Sequence, residues 1–430
     1  MIRYLLLVVG ALAISDAAFA TTLKQAVEAT LRTNPDIQAS KSNVEAARQV
    51  YRQAQGAYLP SVDLVLAGGR ERSDNPTTAA LGYDYLTLTR RERGVTITQL
   101  LYDGSQTSNL IAQQSALVDS SLARLADSRE STSLKAVQMY LEMLRREAIV
   151  KLAKDNLQHH EATLEKIRER FESGVGTKVD VVQTEGRRAE SQSNLLQAKR
   201  DVSDAEAQYE RIVGEAPTDL SDPDEVKGLP PTLAAALDIA YKNNPTLQAA
   251  EANLKAAVAA HKQAKGLFRP KVDLELGATK NNDIDGAIGP NNDRTAMVRM
   301  TYNLYRGGVD SARLHQAEAQ EYTARQNVES IRRGVKQDVT VVWNELQDIT
   351  QRLEFLNEHV KSTQQVLQVY NQQLTLGKRT LLDLLNVQNE LLKAEVAYTT
   401  ARYTQMLARY QVLASVGKLL DNLQVNTASR

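Results

Sequence analysis

Cysteine is absent from the 430-residue chain, which excludes disulfides, thiolate metal sites, a cysteine nucleophile and a lipid-modified N-terminal cysteine. Proline is scarce, with 10 residues, and there is one Trp and there are four Phe. So little turn and aromatic material argues against an all-β or α/β enzyme; the abundant Ala, Gln, Glu, Leu and Arg are the stuff of long helices. Net charge is missing too: 52 basic residues balance 52 acidic ones, so nothing in the total suggests a nucleic-acid binder or a polybasic membrane anchor. From residue 21 onward no run of about 18 apolar residues occurs, and no transmembrane helix is expected.

The signatures of catalysis and metal binding are missing as well. There is no serine elbow, no HExxH and no dinucleotide fingerprint. Gly174-Val175-Gly176-Thr177-Lys178 lacks both the spacing of a phosphate loop and a preceding strand. His159 and His160 are adjacent on a helix and point to different sides, so they read as solvated and not as a metal pair. Trp343 and Tyr140 hold matching positions on helical seams and read as packing residues. Neither metal nor cofactor is expected.

What the chain does have begins with its N-terminus. Arg3 precedes an apolar run from Leu5 to Ile14, and Ala18-Phe19-Ala20 forms a small-x-small site. Residues 1–20 therefore read as a secretory signal peptide cleaved after Ala20; the apolar core is too short to span a bilayer.

An internal repeat organises the rest. Residues 23–66 align without gaps on 233–276, pairing Asn34-Pro35 with Asn244-Pro245, Gly56 with Gly266, Pro60 with Pro270, and Val62-Asp63-Leu64 with Val272-Asp273-Leu274. Further on Leu101-Tyr102-x-Gly104 matches Leu304-Tyr305-x-Gly307, and Gly174-x-x-Thr177-x-x-Asp180 matches Gly377-x-x-Thr380-x-x-Asp383. Each half reads as short helices, a strand, a loop, a strand and two very long helices. In the second half Val335, Val339, Val342, Leu346, Ile349, Leu353, Leu356 and Val360 alternate in steps of three and four, a coiled-coil seam. A second seam through Leu384, Val387, Leu391 and Ala394 runs back along it, so Gly377 and its counterpart Gly174 mark turns between antiparallel helices. A first repeat over 21–220 is expected to hold strands at about 58–70 and 92–102 and long helices at about 104–171 and 179–213. A linker at 221–232 precedes a second repeat over 233–418, with strands at about 268–278 and 294–305 and long helices at about 307–375 and 380–416; residues 419–430 read as a C-terminal tail.

The strands carry a period of two. In Lys271-Val272-Asp273-Leu274-Glu275-Leu276 apolar and charged residues alternate, so one face is oily and the other wet. A half-buried hairpin on a soluble core would look similar, but no other large apolar layer is available to cover these strands. Four strands cannot close a membrane barrel, whose smallest examples need about eight. Several copies would have to share one: two give eight strands filled by side chains, three give twelve and a wet lumen. On that reading Val272, Leu274 and Leu276 face lipid.

The Asn-Pro pairs, the Leu-Tyr-x-Gly segments, the doubled Gly-x-x-Thr-x-x-Asp turn and the run from Gly377 to Leu385 together resemble the TolC family of bacterial outer-membrane efflux and secretion ducts. The resemblance covers essentially the whole chain after residue 20. It implies a mainly α-helical homotrimer with a 12-stranded β-barrel in the outer membrane of a Gram-negative bacterium and an α-helical tunnel reaching into the periplasm. It further implies docking through the turns at Gly174, Thr177, Gly377 and Thr380 onto a periplasmic adaptor, served by an inner-membrane ABC or RND transporter. Carried over by position, Asp180 and Arg379 look like the ion pair that holds the periplasmic aperture closed, and Asp383 like a member of an acidic ring. Asn386 stands where a second ring aspartate is often found, and Leu374 where an aromatic partner is expected. Read without the resemblance, Asp180 and Asp383 are also well placed to stabilise the first turn of a helix after a glycine.

The function these readings lead to is a passive export duct, gated at its periplasmic end and with no chemistry of its own. Its rivals are a periplasmic coiled-coil adaptor or scaffold and an exported helical enzyme. An adaptor would be expected to have a single hairpin flanked by β-rich segments, and an enzyme a convergent polar site.

Overall fold

The computed structural model describes residues 21–425; the cleavage site at Ala18 and Ala20 lies outside them. The chain runs α1 (Leu23–Thr33), α2 (Pro35–Gly56), β1 (Ser61–Ser73), α3 (Pro76–Ala80), β2 (Leu86–Tyr102), α4 (Gln106–Glu172) and α5 (Lys178–Val213). It then repeats the plan with α6 (Leu233–Asn243), α7 (Pro245–Lys265), β3 (Lys271–Ile284), β4 (Ala287–Thr301), α8 (Val309–Thr375) and α9 (Leu381–Ser415), and ends in α10 (Leu419–Asn422). The second Asn-Pro pair has a local cause. Asn244 caps α7, its Oδ1 accepting the Leu247 N–H at 3.1 Å, and Pro245 fills the first helical position, where no N–H is required.

Helices α4 and α8 have 67 residues each, roughly 100 Å at 1.5 Å per residue. Compactness divides the chain across the two repeats. One unit takes Pro35–Arg129 and Ala234–Val339, the other Glu130–Leu233 and the chain from Thr340 on, together with α1. Each unit thus draws on both halves of the sequence.

The first unit carries an antiparallel sheet in the order β1-β2-β3-β4. Three of its strands run further than the sequence predicts, and the strand ends shift. The Asn- and Gly-rich segments around Asn282 and Pro290, expected to be loop, are ladder: Asn281 pairs with Asn291 and Asn282 with Pro290. The real turn is two residues long. Asp285 at φ 53° and Gly286 at φ 77° both have the positive φ of a type I′ turn, whose twist matches that of the strands it joins. Pro290 is tolerated because β4 is an edge strand. At the other end β4 stops at Thr301, so Leu304 and Tyr305, placed in the strand from sequence, lie beyond it and are 86% and 85% exposed. Between β2 and α4, Gly104 sits at φ 70°, and a Cβ there would come within 2.6 Å of the Arg269 Cβ; only glycine fits. Asp103 Oδ2 then accepts the Thr107 N–H at 2.6 Å, opening α4.

The second unit holds the main hydrophobic cluster. Val27 of α1, Val137, Tyr140 and Leu141 of α4, Tyr209 of α5, Tyr410 of α9 and Leu419 of α10 meet there. The Tyr140 hydroxyl lies 2.7 Å from the Thr21 carbonyl oxygen and 2.6 Å from that of Ser221, fixing the start of the described chain and of the linker together. Residues 419–425 are therefore no loose tail: Leu419, Leu420 and Val425 are buried in this cluster. Glu130 holds them, its carboxylate accepting the N–H groups of Leu419 and Leu420 at 3.2 and 3.4 Å, and burial pushes that carboxyl up to about 7. Trp343 packs beside Leu346 and Ile349. His160, expected in solvent, is 2% exposed with Nδ1 unpartnered, and burial lowers its pKa; His159 is exposed.

Candidate aperture turns and sheet face

Two turns of the second unit carry most of the candidate residues, and their shared motif has a plain physical origin. Helix α4 ends at Gly174, φ 78°, where the Val175 and Gly176 N–H groups both reach back to the Arg170 carbonyl at 2.9 Å. Thr177 then caps α5: its Oγ1 accepts the Asp180 N–H at 3.2 Å, while the Asp180 carboxylate accepts the Thr177 hydroxyl at 2.8 Å and N–H at 3.2 Å. The turn after α8 repeats this. Gly377 has φ 71°, the Lys378 N–H returns to the Gln373 carbonyl at 2.9 Å, and Thr380 and Asp383 exchange N–H bonds at 3.2 and 3.3 Å. Gly-x-x-Thr-x-x-Asp is thus a left-handed helix stop followed by a capping box. Within one chain both aspartates are helix-start residues, and the Thr380 bonds hold the Asp383 carboxyl below the usual aspartate range.

The expected pair between Asp180 and Arg379 is not formed within the chain. Arg379 turns to its own hairpin: Nη1 is 3.9 Å from Asp383 Oδ2, Nε donates to Gln373 Oε1 at 3.2 Å, and the guanidinium lies over the Tyr370 ring at 4.6 Å. Within the chain the four-residue spacing along the helix start brings Asp383 into reach instead. The aromatic neighbour that Leu374 fails to supply is Tyr370, one turn earlier on α8. Leu374 has another part: its carbonyl accepts Arg170 Nη1 at 3.3 Å, joining the two turns. Asn386 is exposed on α9.

On the sheet, directly opposed residues share a face. Val62 opposes Ile97, Leu64 opposes Val95, Ile97 opposes Leu276, and Leu274 and Val272 oppose Val298 and Met300. The candidate lipid-facing residues Val272, Leu274 and Leu276 therefore lie in one apolar field across all four strands. Val62, Leu64, Val298 and Met300 are 64 to 67% exposed. The opposite face is ionic: Arg299 Nε donates to Glu275 Oε1 at 2.7 Å and Lys271 Nζ lies 3.0 Å from Asp273. Strands β1 and β4 leave their outer edges unpaired among the described residues. No described helix is long and apolar enough to cross a membrane, and no group of three or more His, Asp or Glu among the described residues is arranged to hold a metal.

Comparison with known proteins agrees with this geometry. The family model described as outer membrane efflux protein matches residues 26–215 and 236–418, one block per repeat. The outer membrane efflux protein BepC of Brucella suis is 27% identical over 421 residues, covering 97% of this chain and 90% of its own. The alkaline protease secretion protein AprF of Pseudomonas aeruginosa is 24% identical, covering 91% and 84%. Among solved structures, the CmeC outer membrane channel of Campylobacter jejuni superposes with a TM-score of 0.80 over 92% of this chain and 86% of that one, at 13% identity.

Proposed function

Because the chain belongs to the outer membrane efflux protein family, whose members are outer-membrane channels, we propose that three copies each contribute one four-stranded sheet to a single 12-stranded barrel, continued by their helices as a passive duct into the periplasm. One observation carries this reading. The sheet exposes an apolar field across its four strands and, among the described residues, two unpaired edges of 13 and 15 residues, a surface that water penalises and that lipid and neighbouring copies satisfy together. Twelve strands leave a wet lumen for cargo, and the ionic face with Glu275 and Arg299 suits it.

The duct performs no chemistry; its energy comes from an inner-membrane ABC or RND transporter reached through a periplasmic adaptor at the Gly174 and Gly377 turns. Its cargo class is that of its relatives, small compounds or secreted protein. At the aperture, Asp180 of one copy and Arg379 of its neighbour clasp the closed state, Arg379 leaving Asp383 to do so. An exposed pair of this kind is worth roughly 1 kcal/mol per copy, threefold in a trimer, enough to shift an open–closed population more than tenfold. Planar-bilayer recording tests this: Arg379→Ser and Asp180→Ala should each raise single-channel conductance, and the double variant should add little. Unchanged conductance in correctly assembled single variants would leave both residues as helix-end stabilisers alone.

A further inference from the structure

In the turn-bearing unit, α4, the α8 end and the start of α9 line a half-open cavity of about 650 Å³, a volume in the range of small-molecule sites. Its inner wall is built from Ile167, Leu384 and Gln388, which are 4, 2 and 5% exposed. Gln388 Nε2 donates to Thr163 Oγ1 at 3.1 Å, while its Oε1 has no partner; the Thr163 hydroxyl is already committed to the His159 carbonyl. The wall therefore holds a buried acceptor with no donor of its own among the described residues.

The rim is basic. His159, Lys166 and Arg170 stand there against one carboxylate, Glu169. Lys166 has no ion-pair partner among the described residues, and Arg170 spends one N–H on the Leu374 carbonyl. Basic side chains around a partly apolar pocket with an unpaired acceptor in its wall select a guest that is anionic at one end and carries a donor at the other. We propose that this cavity binds a small amphipathic organic anion with a hydroxyl or N–H donor, seated between the two aperture turns beside the Arg170–Leu374 bond. The site is separate from the capping boxes and from the Arg379 contacts, and it needs no assumption about cargo.

The test uses the full-length protein as purified from membranes, titrated calorimetrically with 4′-hydroxybiphenyl-4-carboxylate against a protein-free detergent blank. Saturable binding of one molecule per chain is expected. Biphenyl-4-carboxylate, lacking the hydroxyl, should bind several-fold more weakly to the native protein, the order of one hydrogen bond, and the two probes should bind alike to Gln388→Leu. Lys166→Gln should weaken the hydroxylated probe by a similar factor. Ala162→Trp, at an exposed α4 position on the cavity, should abolish binding while leaving the oligomer intact on native gels, which keeps the test sound if Gln388→Leu misfolds. The absence of saturable heat, or binding undiminished in Ala162→Trp, would overturn the proposal.

Discussion

Arg379 shows how much one side chain's role depends on what stands near it. Within the chain it rests on Tyr370 and faces Asp383, so Asp383→Ala disturbs the arginine as well as any acidic ring, and the two substitutions are expected to be coupled in conductance. Thr380 does separate work. Removing its cap by Thr380→Ala should cost the α9 start about 1 kcal/mol, seen as roughly fivefold faster amide exchange in the first turn. Asp383 has a folded pKa below its unfolded value, so its contribution is complete above the ordinary aspartate pKa of about 4 and is lost as pH falls through the folded value. Protection of the Asp383 amide, relative to its intrinsic exchange rate at the same pH, should therefore fall only in acid. The Gly-x-x-Thr-x-x-Asp motif made the turns legible, because a glycine stop and a capping box are local. Which charge Arg379 meets was not, because that depends on rotamers and on a residue nine positions back.

At the scale of the element, alternation in Lys271–Leu276 disclosed the strands, and the seams disclosed the long helices. Strand length was hidden. Asn, Gly and Pro around the β3–β4 turn lower strand propensity, yet a two-residue Asp-Gly turn and an edge position let pairing run through them. Face assignment gives a sharp contrast on β4. Val298→Arg should cost roughly 2 to 4 kcal/mol if near the bilayer midplane and reduce assembled protein in the outer membrane, whereas Thr295→Arg, on the other face, should assemble normally. Asp273 is less suited to that control than its polar side chain suggests, because it is 8% exposed and paired with Lys271. The docked C-terminal helix was also missed: four residues are too few to show a period, and what holds them is Glu130, far away in sequence. Its raised pKa means that the folded chain keeps a proton the unfolded chain has lost, so stability falls as pH rises from about 4.5 to about 7 and is level above. Glu130→Gln should then protect the Leu419 and Leu420 amides better than the native residue at pH 8, by up to about 3 kcal/mol, and nearly equally at pH 4.

For the whole molecule, the repeat in the sequence is not a pair of repeated compact bodies. Hairpins from both halves pair through β2 and β3 into one sheet, and long-helix segments from both halves build each unit. Among the described residues the sheet ends in two open edges and an exposed apolar field, features of a part and not of a finished barrel. The most direct test is the native mass of the protein extracted in detergent from outer membranes. Three chains per particle, lost from solution when detergent is withdrawn, is the result expected from a shared 12-stranded barrel. A single chain, or a particle that stays soluble without detergent, would contradict it.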